Sequence, residues 1–112
     1  MEPHVISQEM AGKVPVIVIE GDMTSEADDA VMALYGKIKS DHSPAQIIFN
    51  FTKTNYINSA GIATLINIIQ DMNDKNGKVA FVGLSNHFLK VMDIVGISDF
   101  VDIYETTEQA IK

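Results

Sequence analysis

At 112 residues the chain has the length of one domain, enough to bury roughly two-thirds of its unfolded surface and fold without covalent staples. It contains no cysteine, which excludes a disulfide framework and thiolate chemistry and fits a reducing cytoplasm. A net charge of −7, with all eight basic residues lysine, leaves no arginine fork for phosphate or guanine; this argues against nucleic acid as a direct partner and favours a neutral or basic protein surface.

No apolar run approaches the roughly 18 residues of a membrane span, and the N-terminal MEPHVISQE lacks the basic and apolar regions of a signal peptide. The expectation is a soluble, cytoplasmic protein with residues 1–112 forming one domain and no membrane partner.

In chain order, His4 to Glu9 and Val14 to Glu20 predict two strands around a turn at Gly12, the second β-branched enough to be central. Gly21-Asp22-Met23-Thr24 is the connection out of it, and Ser25 with Asp28 forms an S-x-x-D capping pattern. The helix that follows, to about Ser40, has Ala27, Val31, Leu34 and Ile38 as its apolar stripe. Its Gly36 costs up to about 1 kcal/mol against alanine unless close packing requires it. Asp41-His42-Ser43-Pro44 reads as a stop and turn.

Gln46 to Thr52 is too continuously apolar for a half-exposed strand, which argues for a parallel strand covered on both faces. A polar loop then leads to Asn58-Ser59-Ala60-Gly61 and a helix with Ile62, Leu65, Ile66, Ile69 and Met72 on its buried face. Asn76-Gly77 ends that helix, with glycine suited to the left-handed position. Val79 to Gly83 is another strand. Ser85-Asn86 then starts a helix with Phe88, Leu89, Met92 and Val95 inward, closed by Gly96. Val101 to Tyr104 is a last strand, and Thr106 with Gln109 begins a short terminal helix. The order β-β-α-β-α-β-α-β-α predicts an α/β fold: a mainly parallel sheet of four to five strands, one antiparallel edge strand and about four helices.

The loops at Gly21–Ser25, Lys53–Ser59 and Leu84–Asn86 then share the carboxyl edge of the sheet, where open α/β sheets place their sites. Little chemistry gathers there. No glycine-rich phosphate cradle occurs, and His4, His42 and His87 are too scattered for a metal site. No histidine base is evident for Ser59. The acids Glu20, Asp22, Asp28 and Asp29 read as a solvated helix start more readily than as a carboxylate cluster. No cofactor or metal is called for. Ser59 has two local readings: an N-cap accepting from Gly61 and Ile62, which is the commoner role, or a hydroxyl displayed for modification or contact.

The stretch I-E-G-D-M-T, then I-I-F-N-F through Y-I-N-S-A-G-I, then N-G-K-V-A-F-V-G-L and F-L-K-V-M-D-I-V-G-I, resembles the sulphate-transporter and anti-sigma-factor-antagonist (STAS) domain family in its stand-alone bacterial form. The likeness runs from about Val14 to Ile111. Its most specific piece is Asn58-Ser59-Ala60-Gly61-Ile62, with Gly77 and Gly96-Ile97 in support. The resemblance implies an anti-sigma factor antagonist, a regulator without enzymatic activity. Such a protein binds an anti-sigma factor that is usually also a serine kinase, and phosphorylation at the hydroxyl aligned with Ser59 ends the interaction.

The chain departs from that pattern twice. Asn58 and Thr24 stand where the family commonly has aspartate; asparagine keeps an acceptor oxygen and loses the charge. The expected docking face around Ser59 comprises Met23, Thr24, Asn55, Asn58, Ala60 and Ala63, chosen for small or uncharged side chains. Two alternatives stand beside this reading. One is a STAS-type adaptor or assembly subunit that binds constitutively; the other is a small enzyme or aspartate-phosphorylated receiver, which the run Lys53-Thr54-Asn55 after its strand disfavours.

Overall fold

A computed structural model describes residues 4–42 and 44–111. Strand β1 (Val5–Ala11) pairs antiparallel with β2 (Val14–Met23), in register from Val5 opposite Glu20 to Ala11 opposite Val14. Helix α1 (Ser25–His42) leads to β3 (Gln46–Asn50), which lies parallel to the first half of β2. After a short strand β4 (Thr54–Ile57) comes helix α2 (Ser59–Asp74), then β5 (Lys78–Val82), helix α3 (Asn86–Ile94), a 3-10 turn (Ile97–Asp99), β6 (Asp102–Tyr104) and helix α4 (Thr107–Ala110). The six strands form one sheet in the order β1-β2-β3-β5-β6, with β4 also paired to β2; every pairing except β1–β2 is parallel.

Alternation along the central strands divides the interior into two layers, since successive side chains point to opposite faces. Ile17, Ile19, Ile47, Phe49, Val79 and Phe81 join Ala27, Val31 and Ile38 of α1, Leu65, Ile68 and Met72 of α2, and Phe88 and Met92 of α3. Val16, Val18, Ile48, Ala80 and Val82 turn the other way and meet Ala110 of α4. Burial on both faces is the reason these strands are continuously apolar.

Several elements differ from the sequence reading. Strand β2 continues through Gly21, Asp22 and Met23, so most of the expected connection is strand. Gly21 takes a left-handed φ of 85° where the register shifts. Strand β4 was expected to be loop. Polar Thr54 and Asn55 hide it, and it exists because the far half of β2, beyond the reach of β3, still offers backbone groups for pairing. The inward face of α1 includes Tyr35, with Leu34 only partly buried. In α2, Ile68 and Thr64 are buried while Ile62 and Ile66 lie at the edge of the core. Leu89 is likewise half-buried, and Val95 is exposed at the end of α3.

Ser25 and Asp28 do not form the expected capping box; Thr24 Oγ1 accepts from the Glu26 amide at 3.3 Å, and Asp28 Oδ1 is buried without a partner. The Thr106–Gln109 box does form. At the end of α2 the left-handed residue is Asn76, with φ 61°, while the Gly77 amide donates to Met72 O at 2.7 Å. The turn expected over 41–44 contains Ser43, which lies outside the described residues.

Helices α1 and α2 are clasped at the end remote from Ser59. Asp71 Oδ2 accepts from the Tyr35 hydroxyl and sits 2.8 Å from Lys39 Nζ and 3.4 Å from Lys75 Nζ. Lys39 and Tyr35, with the further lysine, hold the Asp71 carboxyl down to about 2. Burial, then the bond to Asp71, pushes the Tyr35 hydroxyl up.

Candidate functional site at the mouth of helix α2

The mouth of α2 is built on the carboxyl end of β2. The Met23 carbonyl accepts from the Asn58 amide at 3.2 Å, and a Cβ on Gly61 would stand 2.5 Å from that same oxygen. Glycine at this position therefore lets the first turn of α2 rest against the β2 backbone. Strand β4 carries the chain there. Gly21 N donates to Lys53 O at 3.0 Å, Thr54 Oγ1 donates to Ile19 O at 2.7 Å, and Asp22 and Met23 lie opposite Tyr56 and Ile57.

Asn58, and not Ser59, is the N-cap. Its backbone is extended, its Oδ1 accepts from Gly61 N at 3.0 Å, and its carbonyl accepts from Ile62 N at 3.0 Å. Asparagine and serine are comparable caps, so two adjacent candidates left the choice to geometry. Ser59 becomes the first helical residue, exposed, with no hydrogen bond from its hydroxyl among the described residues. The expected cap role of Ser59 is thus corrected: Asn58 takes it, and Ser59 is left exposed.

The expected docking face divides in two. Asn55, Ser59 and Ala63 are exposed, and Asn58 and Ala60 are half-buried around them. Met23 is 0% exposed and Thr24 is also buried. Neither side chain can touch a partner in this conformation, which corrects their place in the face. Strand β2 runs three residues further than expected, and α2 closes over its last residues; Met23 Cγ would lie 3.1 Å from a Cβ on Gly61. One surface residue escaped the sequence reading. Tyr56 is 52% exposed on β4. The period-two rule could have found it, since Ile57 points inward and its neighbour must point out.

Lys53 and Glu20 face each other at 3.8 Å, and Asp22 is nearly buried at the β2 end. Among the described residues no three His, Cys, Asp or Glu side chains gather in a way that could hold a metal. No described helix is long and apolar enough to cross a membrane. The arrangement offers an exposed hydroxyl at a helix N-terminus, where backbone amides and the helix dipole favour an anion, with Asn58 and Ala60 beside it in the chain and exposed Asn55 and Tyr56 on the strand before it.

A six-stranded, mostly parallel sheet with this helix mouth at its carboxyl edge defines a class, and the comparisons agree with it. The STAS domain profile matches residues 6–110; the chain belongs to the STAS domain family. No curated protein sequence matches it. An anti-sigma factor antagonist from Mycobacterium paratuberculosis is similar in structure, with a TM-score of 0.84 at 16% identity, over 97% of this chain and 92% of that one. The Bacillus cell fate determinant SpoIIAA in its phosphorylated form gives 0.76 at 20%, over 96% of both chains. A sulfate transporter family protein from Wolinella succinogenes gives 0.78 at 13%, over 91% and 84%. At these identities the structural likenesses show the shared fold.

Proposed function

We propose that this chain, as one STAS-like domain in a bacterial cytoplasm, is an anti-sigma factor antagonist that binds an anti-sigma factor with serine kinase activity through the mouth of α2 and is released by phosphorylation of Ser59. The observation that carries the reading is the freedom of the Ser59 hydroxyl: Asn58 performs the capping, so Ser59 is exposed with nothing to give up when modified. Its neighbours Asn55, Tyr56, Ala60 and Ala63 supply an uncharged rim, the composition of an interface core. Met23 and Thr24 support that rim from beneath. In this reading the chain is a substrate of its partner and performs no catalysis itself.

The switch follows from elementary electrostatics. A phosphate adds about −1.5 to −2 charge at pH 7. In the free protein the helix N-terminus favours the anion by about 0.3–1 kcal/mol, so the fold persists. Within a packed interface the same group is desolvated without a partner, at a cost of several kcal/mol. Each 1.4 kcal/mol is tenfold in affinity, so a local charge ends binding without refolding the chain. A second reading, a constitutive STAS-type adaptor, draws on the neutral Asn58 beside the hydroxyl.

Titration calorimetry with the purified anti-sigma factor of the same organism separates the two. Wild type and Ser59→Ala bind alike, while Ser59→Asp binds at least about tenfold more weakly and Ser59→Ala takes up no phosphate from the kinase. Equal binding by wild type, Ser59→Asp and phosphorylated protein refutes the switch and leaves the adaptor.

A further inference from the structure

A second apolar surface lies further along α2 from Ser59. A groove of about 400 Å³ runs between α2 and the segment that closes α3, with Ile66, Ile69, Gln70 and Asn73 on one wall and Val95 and Phe100 on the other. Ile66 and Asn73 follow Ser59 by 7 and 14 positions, about 10 and 21 Å along a helix axis. The lip of the groove is unusually apolar for a chain of this charge. Phe100 and Val95 of its lining are 73% and 44% exposed, and Ile94, next to Val95 in sequence, is 82% exposed. Large apolar side chains grouped on a surface mark an interaction site. Gln70 and Asn73, one turn apart, make no side-chain hydrogen bond among the described residues. They remain able to bind a polar group laid along the groove.

Charge selects the occupant. Asp93 and Asp99 flank the apolar residues, and Asp102 shares a neighbouring hollow with Asn73 and Phe100, where Lys78 is the cation in the lining. Two copies of the chain meeting here would set acids against acids, each copy carrying −7 overall. A basic partner meets the opposite sign. One wall is helix α2, so a second helix laid alongside it packs ridges into grooves, the mode by which amphipathic helices are recognised. We propose that this groove is a second docking surface, which takes an amphipathic helix of a partner protein whose apolar stripe is bordered by Lys or Arg. The groove begins about 10 Å along α2 from Ser59, so a helix seated in it leaves that hydroxyl uncovered.

The test uses the full chain, labelled with nitrogen-15 and titrated with a helical Leu/Lys peptide of roughly 18 residues, long enough to sustain a helix. A Leu/Glu peptide of identical apolar pattern is the control. The expected amide shifts fall on Ile66, Gln70, Asn73, Val95, Gly96 and Phe100 and spare Ser59 and Ala60. Phe100→Ser, a surface change that a thermal melt shows to be folded, weakens binding about thirtyfold as loss of an aromatic anchor should. Val95→Ser, in the lining of the groove, is the second variant and weakens it in the same sense. Shifts elsewhere, no shifts, or equal binding of the Leu/Glu peptide overturn the proposal. So does a sedimenting dimer that Phe100→Ser disperses, since a second copy would then be the occupant.

Discussion

Gly61 and Gly36 are both helical glycines, and replacing each by alanine should change stability in opposite directions. Alanine is about 1 kcal/mol better than glycine inside a helix. At Gly36, exposed on α1, an added Cβ meets nothing within 4 Å, so Gly36→Ala should stabilise the protein by about 0.5–1 kcal/mol. At Gly61 the Cβ would stand 2.5 Å from the Met23 carbonyl oxygen and 3.1 Å from both Ile57 Cγ2 and Met23 Cγ. The oxygen is backbone, and it cannot withdraw without weakening its bond from the Asn58 amide, worth about 1 kcal/mol. Overpacking adds about 1–3 kcal/mol. After the propensity gain is subtracted, Gly61→Ala should cost about 1–3 kcal/mol. Urea unfolding reads both: with m unchanged, the midpoint of Gly36→Ala rises and that of Gly61→Ala falls. If Gly61→Ala were as stabilising as Gly36→Ala, the close seating of α2 on β2 would be wrong.

The same construction separates the roles of two adjacent polar residues. Asn58→Ala removes the cap and should cost about 1 kcal/mol, Asn58→Asp should retain it, and Ser59→Ala should stay within about 0.5 kcal/mol of wild type as a surface substitution; denaturation midpoints of the three variants check the assignment. The clasp between α1 and α2 predicts a pH signature. The Asp71 carboxyl, held at about 2 against an ordinary 3.8, contributes stability that is complete above about pH 5 and lost as pH falls towards 2. The group is over a third exposed, so screening keeps the contribution small. The stability difference between wild type and Asp71→Asn should therefore shrink between pH 5 and pH 2, and a constant difference would refute the assignment. Tyr35, whose hydroxyl is raised above its ordinary 10.0, works in the opposite direction. Its stabilisation is present below pH 10 and lost as pH climbs beyond it, and Tyr35→Phe should flatten the alkaline limb.

The alternating α/β plan is legible in the residue pattern alone, because β2, β3, β5, α2 and α3 each carry an apolar pattern strong enough to name their type within a short window. The sequence also singled out residues 58–62 as the candidate site, through a resemblance carried by five contiguous residues. Tertiary structure decided which of them caps the helix. Whether Asn58 or Ser59 caps the helix turns on where the Met23 carbonyl meets the chain, a contact between residues 35 positions apart. The strand β4 is equally non-local, since Thr54 and Asn55 have no strand pattern of their own and pair only because β2 extends past β3. The same extension put Met23 and Thr24 inside, where their neutral character had suggested a surface. Local periodicity names an element and its faces; which face meets solvent at an element's end depends on partners distant in sequence, and only the folded chain brings them together.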